Sequence, residues 1–152
     1  MRRAVPLALP LAALLLAGCA KEEEELTVTD AWVRLAAVPA NPSAGYFTIK
    51  GGPKDMELIS VSSSVAIRSE MHESMTGMQG MAGMKPIARV AVPAGTEVKF
   101  EPGGKHVMFW NVNPGIKPPR SMPLVLAFAD GTRLELPART VAAGDAAPAA
   151  ED

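Results

Sequence analysis

The chain has 152 residues, with 15 basic and 16 acidic side chains and a formal charge of −1, a balance that offers none of the basic surface nucleic acid demands. Its single cysteine, Cys19, excludes an intrachain disulfide, a redox cysteine pair and a cysteine-ligated blue-copper centre. No Ser-His-Asp pattern or His/Glu zinc signature is present, so nothing points to an enzyme.

Residues 1–18 (MRRAVPLALPLAALLLAG) join two arginines to an apolar run of signal-peptide length that ends in small residues. Leu16-Ala17-Gly18-Cys19 resembles a bacterial lipobox, which would make Cys19 the lipidated first residue of the mature chain. Diacylglycerol plus an amide-linked acyl chain exceeds the one-chain threshold for stable anchoring. The protein is therefore expected outside the cytoplasm, in the periplasm or cell envelope. A lipid anchor is its expected membrane attachment, since no later apolar run reaches spanning length. Without residues 1–18 the chain carries 13 basic and 16 acidic residues, a formal charge of −3. Residues 19–25, with four consecutive glutamates, read as the lipidated cysteine and a solvated tether, and residues 26–141 suit one domain with an adequate core.

Past the tether, short segments alternate with Pro and Gly, and no stretch holds a 3.6-residue apolar period for three turns. The expectation is an all-β protein, a monomeric antiparallel β-sandwich of eight or nine short strands. The predicted strands are Leu26 to Leu35, Gly45 to Lys50, Met56 to Ser62, Ala66 to His72, Ile87 to Val92, Glu97 to Glu101, His106 to Asn111, Leu124 to Ala129 and Thr132 to Leu136. Asp130-Gly131 predicts a two-residue hairpin, and Pro93-Ala94-Gly95 and Pro102-Gly103-Gly104 predict two more turns. The Ala-rich segment 142–152 is expected to be disordered.

Between the fourth and seventh predicted strands lies an unusual concentration of soft donors. Five of the nine methionines (Met71, Met75, Met78, Met81 and Met84) fall within fourteen residues, and both histidines, His72 and His106, lie close by, with Met108 two residues after His106. The residues from Glu73 to Gly83 lack the bulky aliphatic partners a core methionine packs against. Thioether sulfur is a soft, neutral ligand, and with imidazole it favours Cu(I) over Ca(II), Mg(II) or zinc. Strand alternation projects His106 and Met108 to one side and Val107 and Phe109 to the other. Companion ligands are expected from the strand ending at His72 and from Met84, just before Lys85-Pro86. Two imidazoles and two thioethers in a tetrahedral set suit one Cu(I) per chain, whose filled d shell loses nothing in that geometry.

This arrangement resembles the periplasmic PCuAC copper chaperones, whose motif is a histidine, about ten residues, a methionine, about twenty-one residues, then H-x-M. Here eleven residues separate His72 from Met84, and twenty-one separate Met84 from His106-Val107-Met108. Ala31-Trp32-Val33-Arg34, Gly45-Tyr46-Phe47-Thr48-Ile49, Met84-Lys85-Pro86 and Gly103-Gly104-Lys105-His106 are also similar to the family. The resemblance implies a cupredoxin-like sandwich that carries Cu(I) to the dinuclear copper centre of cytochrome c oxidase. Its acceptor would be the copper-bearing subunit, directly or with a thioredoxin-like assembly protein. The longer first spacer leaves Met81 as an alternative to Met84, and the Met84-Lys85-Pro86 match favours Met84. The His- and Met-rich tail that some members use for a second, Cu(II) site is missing, so one site is expected. A copper-sequestering envelope lipoprotein is the rival reading.

Neighbouring residues have roles to be decided. Met71 should alternate to the core if His72 faces the metal, and Trp32 and Tyr46 read as core. Met75, Met78 and Met81 are either an apolar turn covering the end of the sandwich or auxiliary copper contacts. Trp110 shares a strand face with Met108 and could shield the metal; Glu73 could orient the His72 imidazole or be a solvated carboxylate.

Overall fold

A computed structural model describes residues 25–76 and 82–149. The signal segment, Cys19, Met78 and Met81 lie outside the described residues. Ten strands are formed: β1 (Thr27–Arg34), β2 (Ser43–Lys50), β3 (Met56–Ser62), β4 (Arg68–Thr76), β5 (Ala82–Pro86), β6 (Val90–Val92), β7 (Glu97–Phe100), β8 (Lys105–Trp110), β9 (Met122–Phe128) and β10 (Arg133–Val141). They run in the order β5-β4-β8-β7-β2-β1-β10-β9-β3-β6. β10 pairs with β9 through 133–138 and then with β1 through 139–141, so this one strand joins the two sides of a curled sheet.

The core fills the inside of that curl. β9 alternates Met122, Leu124, Leu126 and Phe128 inward, and these meet Val33, Phe47, Ile49, Leu58, Val107 and Phe109 from the other side, as period-two patterning requires. Trp32 and Tyr46 are buried, as expected of core residues, but lie outside that cluster. They are cross-strand partners on β1 and β2, and their rings pack in a tilted contact at a 4.4 Å centroid distance.

Ten strands form where eight or nine were expected, and β6 covers only the last three residues of the predicted Ile87–Val92 strand; four further features differ from the sequence expectation. β5 is a strand where a loop was expected: its AGMKP sequence has weak β-propensity, and as the sheet's edge strand it tolerates Pro86. Its pairing with β4 extends β4 from the expected end at His72 to Thr76. β10 continues through Pro137 to Val141, because Pro137 faces Pro123 on β9 just before the strand changes partner; its pairing with β1 is parallel in an otherwise mainly antiparallel sheet. The β9–β10 connection is a three-residue loop. Gly131 N donates to Phe128 O and Phe128 N to Thr132 O, with Gly131 at φ 91°, which is a turn followed by a left-handed residue.

The turn at Pro102-Gly103-Gly104 positions the later site. Gly104 N donates to Glu101 O and Gly103 has φ 84°, a left-handed conformation that glycine adopts without a Cβ penalty. The chain does not reverse there. β7 and β8 both run antiparallel to β2, β7 against Phe47–Lys50 and β8 against Ser43–Gly45. The turn thus steps the chain sideways, leaving the other edge of β8 free to pair with β4 along Arg68–Glu73.

Gly45 makes the close fit of β2 on β8 possible, since a Cβ there would lie 2.7 Å from Phe109 Cε2, and Phe109 is fully buried. Gly45→Ala should destabilise the fold by about 1–3 kcal/mol through overpacking, read from urea unfolding. Gly83→Ala, where nothing lies within 4 Å of the new carbon, should leave the midpoint within error.

The β9–β10 loop carries a second, pH-dependent tie. Asp130 accepts from Lys54 Nζ at 2.8 Å and from Thr132 N at 3.0 Å, and these bonds, the lysine first, lower its pKa from 3.8 to about 2. A depressed acid stabilises the fold above its unfolded pKa and loses that contribution as pH falls through its folded value. Unfolding midpoints of the wild type and Asp130→Asn should therefore converge between about pH 4 and pH 2; a gap that stays constant over this range would refute the assignment.

Candidate metal centre

The metal-ligand candidates are placed by β8. Its inner side chains, Val107 and Phe109, are fully buried in the core, so alternation turns His106, Met108 and Trp110 to the outer face of the sheet. Register with β4 adds the partners: His72 is directly opposite His106, Glu70 opposite Met108, and Arg68 opposite Trp110. β5 extends the same face, with Pro86 opposite His72 and Met84 opposite Ser74. Met84 is thus the diagonal neighbour of His72, a separation that long side chains bridge. His72, Met84, His106 and Met108 share one face across three adjacent strands.

The two histidines are held differently. His106 is 5% exposed, and its Nδ1 lies 3.0 Å from Gly104 O. A carbonyl can only accept, so Nδ1 carries the proton and Nε2 keeps its lone pair. The His72 ring is 6.0 Å away, edge-on, with its side chain 13% exposed. Its Nε2 faces Glu70 Oε2 at 3.4 Å, while Nδ1 is buried and has no hydrogen-bond partner among the described residues. A buried ring nitrogen without a partner is costly unless something else supplies one. Met108 is half-buried, whereas Met84 is 59% exposed.

The other sequence candidates divide by face. Met71 is buried opposite Val107 in the core, as strand alternation requires. Met75 pairs with Gly83 and, by alternation along β4, goes with Met71 and Glu73 to the reverse face, 48% exposed; the register does not bring it to the face of His72. Met78 and Met81 lie outside the described residues. Trp110 meets the His72 ring edge-on at 6.1 Å, so it stands at the border of the site.

Glu73 does not orient His72. It projects to the reverse face, where Lys105 Nζ donates to it at 3.1 Å and Lys85 Nζ lies 3.6 Å away. The Lys105 hydrogen bond is the first cause of its lowered pKa, followed by that lysine's charge. The carboxylate beside His72 is Glu70, a residue the sequence reading missed. The i, i+2 rule that pairs His106 with Met108 would have found it.

A family model described as LpqE-like, a lipoprotein family, matches residues 26–140. The protein Lxx21020 of Leifsonia xyli subsp. xyli, which bears a lipoprotein name, is 28% identical over 115 residues, 74% of this chain and 67% of that protein. Among solved structures, the copper-bound PCuAC domain from PmoF2 matches with a TM-score of 0.62 at 16% identity, covering 79% of this chain and 95% of that domain. The Cu(I) form of DR1885 from Deinococcus radiodurans matches with a TM-score of 0.59 at 25% identity, covering 80% and 82%. The fold is the cupredoxin-like β fold of the PCuAC domains.

The division by face is open to test with Ag(I), a soft monovalent cation. One equivalent should shift the methyl carbon resonances of Met84 and Met108 and leave that of Met75 in place. A Met75 shift as large as that of Met84 would overturn the register.

Proposed function

The chain belongs to the LpqE-like lipoprotein family, and on that premise we propose that it is an extracytoplasmic, lipid-anchored Cu(I) chaperone. One ion is held by His72, Met84, His106 and Met108 and passed on to the dinuclear copper site of cytochrome c oxidase. The acceptor is the copper-bearing subunit itself or a thioredoxin-like assembly protein. The observation that carries this reading is the register of β4 with β8 and with β5, which sets two imidazoles and two thioethers on one face.

The donor chemistry fits the ion. Two neutral nitrogens with available lone pairs and two thioethers form a soft set without net charge, suited to a monovalent d¹⁰ cation. Copper is the cargo, so binding must also be reversible. Three of the four donors stand on β4 and β8, inside the sheet, while Met84 stands on the edge strand and is the most exposed. A neutral ligand on the accessible side is the one an incoming donor can replace first, so the ion need not pass through a bare state. That exposure favours hand-off over storage.

X-ray absorption of the Cu(I)-loaded chain should show mixed nitrogen and sulfur scattering at one copper per chain; an all-nitrogen shell would overturn the ligand set. Met84→Leu nearly conserves volume and should cost less than about 1.5 kcal/mol in stability. It should nevertheless weaken Cu(I) by about tenfold or more, equivalent to about 1.4 kcal/mol, in chelator competition. The loaded wild type should transfer its copper to the apo copper-bearing domain of the oxidase. Retention of the ion in that mixture would favour sequestration instead.

A further inference from the structure

We propose that Glu70 is a positioning residue for the copper site: it holds the His72 imidazole so that Nδ1, not Nε2, is the atom presented to the ion. The inference rests on the ligand set proposed above and adds what selects the donor atom.

The argument begins with which nitrogen carries the proton. His72 Nε2 faces Glu70 Oε2 at 3.4 Å, and an ionised carboxylate only accepts, so that contact is favourable when Nε2 bears hydrogen. The lone pair is then on Nδ1, the buried nitrogen without a protein partner among the described residues. His106 is arranged the opposite way, with its Nδ1 donating to Gly104 O and Nε2 left to bind. Two cross-strand histidines thus present opposite nitrogens: His106 Nδ1 is hydrogen-bonded to a carbonyl, and His72 Nε2 lies in ion-pair contact with the Glu70 carboxylate.

Glu70 is itself held. Arg68 Nη1 lies 3.5 Å from Glu70 Oε1, and the Arg68 guanidinium lies 3.9 Å from the centroid of the Trp110 ring, a cation–π contact. Trp110 in turn meets the edge of His72. Arg68, Glu70 and His72 are alternate residues of β4, and Trp110 is the register partner of Arg68, so the four side chains close a ring of contacts on one face. The guanidinium draws on the carboxylate oxygen not used by His72, which opposes rotation of Glu70 into the site as a hard donor of its own. A carboxylate behind a ligating histidine fixes the ring and raises its donor strength, and loss of such a partner typically costs about 10–100-fold in metal affinity.

The test compares Glu70→Ala and Glu70→Gln with the wild type in the full chain. Chelator competition should show Cu(I) affinity reduced about 10–100-fold in Glu70→Ala, and largely restored in Glu70→Gln, whose carboxamide oxygen can stand beside Nε2 where the carboxylate oxygen stood. The Glu70 side chain is 42% exposed, so unfolding midpoints of the apo proteins should agree, which separates positioning from structural damage. Nitrogen-15 spectra of the Cu(I)-loaded wild type should place the metal on Nδ1 of His72 and on Nε2 of His106. Metal on Nε2 of His72, or unchanged affinity in Glu70→Ala, would overturn this inference and leave the proposed function standing. A wild type that binds no Cu(I) would overturn both.

Discussion

The pairing of β8 on both edges is the constraint on which the site depends. β2 fixes one edge through Ser43–Gly45 and β4 the other through Arg68–Glu73. Val107 and Phe109, fully buried between them, contribute roughly 1.5–3 kcal/mol each by leaving water. A slip of one residue would put these two side chains in solvent and drive His106 and Met108 into the apolar core. The packing that stabilises the sandwich therefore also sets the direction of the donors, and no separate device is needed to aim them.

From that strand outward the donors become progressively less constrained. His106 is buried with its Nδ1 tied to the carbonyl of Gly104, in the turn that also lets the chain step from β7 to β8. His72 is one strand further out and is braced by side chains rather than backbone. Met84 is on the edge strand and largely exposed. On the reverse face, Glu73 reaches Lys105 on β8 and Lys85 on β5. It spans the three strands that carry the donors without entering the site. Such partly exposed ion pairs contribute little to stability one at a time, so the backbone pairing of β4 with its two neighbours is the main restraint on their spacing.

Much of this was legible in the sequence because the strongest signals were local. H-x-M on a strand needs only alternation to become a same-face pair, and β3 was bounded correctly by its apolar pattern from Met56 to Ser62. What escaped depended on partners distant in sequence. β5 has little β-propensity of its own and exists because β4 offers it an edge. The continuation of β10 past Pro137 depends on Pro123 opposite and on β1 beyond. Glu70 is hidden in the sequence because it is two residues from His72, yet in a strand it is that residue, and not the adjacent Glu73, that shares the histidine's face.

The same alternation changes what the methionine-rich run means. In sequence the run is a continuous block of sulfur, and its density invites a continuous metal path. In the folded strands it is divided: Met71 is core, Met75 goes to the reverse face, and Met84 joins the histidines. One methionine of these three therefore shares the face of His72 and His106, and the other thioether on that face is that of Met108, twenty-four residues later in the chain. Among the described residues, register and not composition decides which thioethers share the face of the histidines. A chain with fewer methionines but the same β4–β5 and β4–β8 pairing would keep the site, whereas a one-residue shift of β5 against β4 would remove Met84 from it and leave the sulfur content unchanged.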